Sequence, residues 1–305
     1  MALAPTIALA PEGDRPLFAI SLMLGFCLLA PLGDAIAKLL GQTIPILQLV
    51  LIRFAGQMLL VPFALPGSRA ILASPRLLRA TAIRTVLHML GIGLLFWSLQ
   101  YLPLADAVAI IFVMPFIILG LGAFLYGETV GPRRVLAALV GFVGTLLVVQ
   151  PSFADVGWPA LLPVAVAVVF AFFMFVTRGI AKEVDAVALQ AVSGTLATII
   201  ATVLMVAAIG FGWMEWADPS DDAWLLVTIA VLGTVSHLLL TWSLRHAPAS
   251  TLAPMQYLEI PFATLLGWLI FADLPDGLAA LGIVITVAAG LTVIWFERRA
   301  ARAAQ

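Results

Sequence analysis

Three protonatable residues fall in the middle of long apolar stretches: His88, His237 and Glu259. Counted along helices of 1.5 Å rise per residue, each lies roughly 18–21 Å from one membrane face, near the midplane. Such groups are costly in hydrocarbon and persist where they face a cavity, a partner or an ion path. A mid-membrane carboxylate with imidazoles nearby can carry protons or hold a substrate amine. For each histidine, a satisfied polar contact between helices is the plainer reading. Glu259 stands between Pro254 and Pro261, with Gln256 and Tyr257 beside it. Pro261 has no N–H, so the carbonyl of Tyr257 loses its helical donor, and Pro115 does the same to Ile111. Pro31 is a further helix-break candidate, inside the first apolar stretch. Prolines that interrupt helices at matching positions point to a binding site, or else simply kink helices to fit a curved bundle. Asp34 and Arg53 lie on consecutive stretches, both roughly 9–12 Å deep, and are expected to form a structural ion pair. Lys38 shares a helical face with Asp34. It either snorkels to the headgroups or faces a cavity and attracts a substrate carboxylate.

The elements that must position these residues follow from composition. Of 305 residues, 63% are hydrophobic and only 10% charged, with mean hydropathy +1.16. A soluble domain carries about 25% charged residues. Spanning a bilayer takes roughly 20 apolar helical residues. Hydropathy and helix breakers divide the chain into ten spans, near 17–40, 45–65, 80–100, 104–125 and 133–150, then 158–177, 187–209, 223–243, 249–271 and 277–296. The expected fold is therefore an all-α polytopic membrane protein of ten transmembrane helices. Residues 1–16 read as a flexible tail without the basic start of a cleavable signal, and 297–305 as a basic tail.

Basic residues set the orientation. With the N-terminus cytoplasmic, the inner segments hold Arg15, Arg69, Arg76, Arg79, Arg133, Arg134, Arg178, Lys182, Arg245, Arg298, Arg299 and Arg302, while acids such as Asp218, Asp222, Asp273 and Asp276 lie outside. Both termini are expected in the cytoplasm. Arg84, near the start of the third span, is expected to face the cytoplasm with Arg79. Heavy Arg, Ala and Leu usage points to a GC-rich bacterial genome, and the expected location is the bacterial inner membrane.

The halves repeat. Trp97-Ser98-Leu99 through Pro103 aligns with Trp242-Ser243-Leu244 through Pro248 at an offset of 145. Pro115-Phe116 aligns with Pro261-Phe262, and Gly127-Glu128 with Ala272-Asp273. Five spans per half make the repeats, 17–150 and 158–296, inverted across the membrane, a plan that places a site near the midplane between them. The chain resembles the drug/metabolite transporter superfamily, EamA-type, over roughly residues 17–296. The resemblance rests on Lys38 ending the first span, Arg53-Phe54 in the second, Pro115 and Gly127-Glu128 in the fourth, and Glu259 to Pro261 in the ninth. The family more often sets Glu directly before Pro, where Ile260 intervenes here, and has Glu where Asp273 stands. The whole looks like a bacterial amino-acid exporter of the YddG type.

The resemblance implies a secondary transporter working by alternating access, with Lys38, His88, His237, Gln256, Tyr257 and Glu259 along the translocation route. Export as the direction is carried by the resemblance alone. The expected partners are a small-molecule substrate, the bilayer and a coupling proton. A drug or other metabolite efflux carrier is the runner-up, ahead of an intramembrane lipid enzyme or a channel. No phosphate-cradling GxxxxGK[ST] loop, zinc spacing or nucleophile–base arrangement is present, so no cofactor, metal or catalytic residue is expected. Net charge −1 gives no field for nucleic acid, and Cys27 alone can form no intrachain disulfide. The sequence sets no oligomeric state.

Overall fold

The computed structural model describes residues 15–114, 116–118, 120–121, 132–218, 220–247 and 252–303. Among the described residues, regular structure is entirely helical. The helices are α1 (Pro16–Leu40), α2 (Ile46–Met58), α3 (Leu65–Ala73), α4 (Pro75–Ser98), α5 (Leu104–Ile111), α6 (Pro132–Val156), α7 (Leu162–Ala181), α8 (Ala186–Gly210), α9 (Ala223–His246), α10 (Glu259–Phe271) and α11 (Gly277–Ala303). Seven helical stretches are long and apolar enough to cross a membrane, and three shorter apolar ones occupy Leu104–Ile118, Met255–Phe271 and Gly277–Ala289. The chain is a polytopic membrane protein. Its outer surface is apolar, with side chains such as Leu139, Val203, Val227 and Leu269 more than half exposed, where lipid is the natural solvent.

Helix α3 was not expected: it lies in the segment read as a polar connection. Leu65-Pro66 starts it, and Ile71 is buried against Ile180, Val184 and Ala188. The predicted basic tail at 297–305 continues α11 as far as Ala303. The N-terminal tail lies largely outside the described residues.

Pairing of the long helices is regular. Helix α1 packs on α9 and α4 on α7, while α2 packs on α8, α5 on α10 and α6 on α11. With α3 set aside, replacing every helix by its counterpart five spans later returns the same set of pairs. The tripeptide Ile36-Ala37-Lys38 near the end of α1 also recurs as Ile180-Ala181-Lys182 at the end of α7. Small residues permit the closest approaches. Gly282 on α11 faces Gly144 and Val148 on α6, and a Cβ there would lie 2.8 Å from Val148 Cγ2. In lipid, close backbone packing replaces the hydrophobic effect as the force between helices.

Two of the shorter apolar stretches are interrupted. Helix α5 ends at Ile111, and the N–H groups of Phe112 and Val113 donate to Ala109 and Ile110 in tight turns (3.2 Å each). In the other half a 3₁₀ stretch, Ala253–Leu258, precedes α10, and Pro261 occupies the first turn of α10, where no helical N–H is required. Pro254 belongs to the 3₁₀ stretch. Pro115 lies outside the described residues. Pro31 does not terminate its helix: α1 runs through it without interruption.

Candidate functional site

The two interrupted elements meet α1, α2, α4, α7 and α9 around a cavity in the bundle's centre. It is lined by Asp34 from α1, Arg53 from α2, His237 from α9, Gln256 from the 3₁₀ stretch and Glu259 from α10, with Phe26, Phe112, Phe170 and Met174 as apolar wall. Its volume is about 50 Å³, room for a few water molecules. The cavity is therefore constricted in this conformation.

The expected Asp34–Arg53 ion pair is not formed: no contact within 4.0 Å joins them. Arg53 is drawn towards α9, where its Nη2 lies 3.2 Å from His237 Nδ1. Its guanidinium carbon is 5.9 Å from the Phe96 ring centroid. Gly233, one turn from His237, leaves the space this path needs, because a Cβ there would lie 2.8 Å from Arg53 Cζ and strike Nη1. Arg53, Asp34 and Glu259 thus face one cavity, and no ion pair within 4.0 Å joins either acid to Arg53. Cys27 supports the interrupted element, its thiol donating to the Met255 carbonyl (3.5 Å). Nothing in the sequence pattern indicated that role.

His88 stands behind His237. The rings stack with centroids 4.2 Å apart, and His88 is enclosed by Phe54 and Phe173, each 4.8 Å away. Both His88 ring nitrogens and His237 Nε2 are buried without a hydrogen-bond partner. Tyr257 is buried against Phe112, at 5.1 Å between centroids, rather than lining the cavity itself. Gln256, by contrast, faces the cavity.

Lys38 lies one helical turn beyond Asp34, towards the end of the bundle predicted to be outside. Its Nζ donates to the Leu102 carbonyl (2.9 Å) and lies 3.3 Å from Asp273 Oδ2, with the Phe271 ring centroid 4.9 Å away. The contact ties α1 to the residues following α10. Ala272 takes a left-handed conformation (φ 57°) that turns the chain out of α10 just before Asp273. Lys38 and Asp273 also line a second cavity of about 400 Å³ at that end of the bundle, with Gly41, Gln42 and residues 99–103. Lys38 therefore neither snorkels freely nor reaches the central cavity. It stands in the wall of the second cavity.

Arg84 corrects the sequence reading. It is fully buried rather than facing the cytoplasm. The reason lies at the helix start. Pro75 occupies the first turn of α4 and the Ser74 hydroxyl accepts from Leu77 N–H (3.4 Å), so the helix begins five residues before the predicted span and carries Arg84 a turn and a half deeper. Ser-Pro at a helix start is a local signal that hydropathy does not register.

Several known proteins resemble this chain. A riboflavin transporter of Rhizobium johnstonii is 33% identical over 221 residues, covering 72% of this chain and 71% of that protein. A pseudopaline exporter of Pseudomonas aeruginosa is 27% identical over 260 residues, 84% and 88% of the two chains. An S-adenosylmethionine uptake transporter of Rickettsia felis is 25% identical over 271 residues, 88% and 89%. A protein solved by crystallography shares the fold, with a TM-score of 0.64 at 21% identity over 93% of this chain and 97% of that one. These relatives are named as transporters of small molecules, not as enzymes. The model of the EamA-like transporter family matches residues 17–150 and again 157–295, and the chain belongs to that family, within the drug/metabolite transporter superfamily.

Proposed function

We propose that the chain is a secondary carrier that exports small metabolites, amino acids foremost, across the bacterial inner membrane. Its ten spans form two inverted five-span repeats with both termini cytoplasmic, and the repeats rock about the central cavity. The observation that carries the substrate class is the cavity's charge. Arg53 on one side and Asp34 and Glu259 on the others face the same small space without pairing. A cation and two acids that face one cavity at membrane depth without an ion pair are costly, and a zwitterion satisfies them together: its carboxylate meets Arg53 and its ammonium meets Asp34 and Glu259. S-adenosylmethionine, named for one set of relatives, carries the same amino-acid end. Glu259 and the stacked histidines then serve the coupling proton, and the Lys38–Asp273 contact closes the outer end.

The test is counterflow in liposomes holding the purified protein, with labelled neutral, basic, acidic and aromatic amino acids, with and without a pH gradient. Saturable counterflow of at least one is expected. A folded protein that moves none of them refutes the amino-acid reading. A second reading, a flavin-like planar substrate, is favoured by the 33% identity to a riboflavin transporter and by the aromatic wall of Phe26, Phe112 and Phe170. Riboflavin belongs in the same assay.

A further inference from the structure

Arg84 is a fully buried cation held by neutral groups alone. Its Nε donates to Thr177 Oγ1 (3.0 Å) on α7, and Nη1 donates to Ser193 Oγ (2.8 Å) on α8. Nη2 donates to Gln190 Oε1 (2.8 Å) on α8 and to Thr241 Oγ1 (3.1 Å) on α9. The Phe173 ring lies 4.8 Å beneath the guanidinium carbon. Among the described residues no carboxylate comes within 4.0 Å of it. Buried guanidinium groups are ordinarily paired with an acid, and hydroxyls and an amide oxygen replace only part of the hydration given up.

Unused polar atoms surround it. Gln190 Nε2, a donor, is buried without a partner, and so are both ring nitrogens of His88, one turn further along α4, of which a neutral imidazole makes one a donor and the other an acceptor. His88 stacks on His237, which touches Arg53 at the cavity wall. Arg53, His237 and His88 touch in turn, and Arg84 lies one turn from His88 on α4 with Phe173 beside both, so the four lead in file from the central cavity towards the end of the bundle that holds the Arg76–Glu183 ion pair. Every member can donate a hydrogen bond, and the file contains no acid. Each buried unpaired donor in such a place calls for an explanation.

We propose that Arg84, with His88 above it, is a second binding position for the carboxylate of the substrate, about two helical turns along α4 from Ile92 at the cavity wall. The position rests on the amino-acid reading above and extends it. The guanidinium fork suits a carboxylate in two-point contact, better than any single hydroxyl it now holds. Arg84 also ties α4, from the first half, to three helices of the second. Parting the halves on this side strips the guanidinium of its neutral acceptors. A substrate carboxylate arriving from the file replaces them, so opening is favoured when substrate is present.

The experiment compares wild type, R84Q and R84K in proteoliposomes. The probes are the best-transported amino acid of the panel phenylalanine, methionine, lysine and glutamate, and that amino acid's α-carboxamide. Thermal unfolding in detergent confirms that each variant is folded. Wild type is expected to favour the acid over its amide by ten-fold or more in half-saturation. R84Q is expected to reduce the preference for acid over amide by at least ten-fold, and R84K to fall between. A folded R84Q that slows acid and amide alike overturns the assignment and leaves Arg84 as a structural tie, with the amino-acid reading intact. If wild type carries neither acid nor amide, the amino-acid reading itself fails and the carboxylate position with it.

Discussion

Gly233 offers a sharp test of how the cavity charge is held. Alanine there adds a single Cβ, which would sit 2.8 Å from Arg53 Cζ and 3.0 Å from Arg53 Cγ. Because Cγ is close to the backbone, swinging the guanidinium tip aside does not relieve the clash. The side chain must leave its place against Phe96 and its 3.2 Å contact with His237 Nδ1. Overpacking by one carbon in a filled core costs about 1–3 kcal/mol. A hydrogen bond involving a charged group contributes about 1.5–3 kcal/mol. If Arg53 holds the substrate carboxylate, its displacement raises half-saturation in counterflow by about ten-fold or more, since about 1.4 kcal/mol is one decade. The decisive comparison is Gly233→Ala in an Arg53→Met background. Methionine lacks the guanidinium, so the added methyl there should change stability and half-saturation by no more than about 0.5 kcal/mol beyond Arg53→Met alone. An equal penalty in both backgrounds would refute the reasoning, because the clash would then lie with the helix and not with Arg53.

Other outcomes follow from the same geometry. Lys38→Met and Asp273→Asn should each loosen the outer closure. The pair is 14% and 39% exposed, so after discounting for solvent it contributes about 0.2–1 kcal/mol. Labelling of the buried Cys27 by a membrane-impermeant maleimide should rise by up to about five-fold, and the double variant should add little. Glu259→Gln should abolish the response of counterflow to a pH gradient while transport without a gradient persists; an undiminished response removes Glu259 from the proton's path. Gly282→Leu drives its side chain towards Leu147 and Val148, where the Cβ alone would lie 3.1 Å and 2.8 Å from side-chain carbons. It should lower stability in detergent by about 1–3 kcal/mol, seen as a fall in unfolding temperature.

Much of the architecture is legible without coordinates. Lipid imposes one requirement on every spanning segment, that about 20 consecutive residues be apolar. The signal is one-dimensional, so the long helices Pro16–Leu40, Ala186–Gly210 and Ala223–His246 are read from hydropathy alone. The same rule marks His88, His237 and Glu259 by depth. Proline chemistry is equally local: Pro254 lies in the 3₁₀ stretch and Pro261 in the first turn of α10, where a missing N–H is tolerated. The Ser74-Pro75 helix start is also legible, and it sets the depth of Arg84 where hydropathy alone does not.

Partnership among the buried charges is a different matter. Asp34 and Arg53 lie at similar depth on successive helices, and depth alone made them a pair. Which way a long side chain turns depends on where a neighbouring helix leaves space, and Gly233, far along the chain, leaves it beside α9. Lys38 likewise could not be matched to Asp273, 235 residues away, until the left-handed turn at Ala272 brought the carboxylate beside it. Depth is a property of one helix counted from its end. Azimuth and contact belong to pairs of helices, and they emerge only when the helices pack.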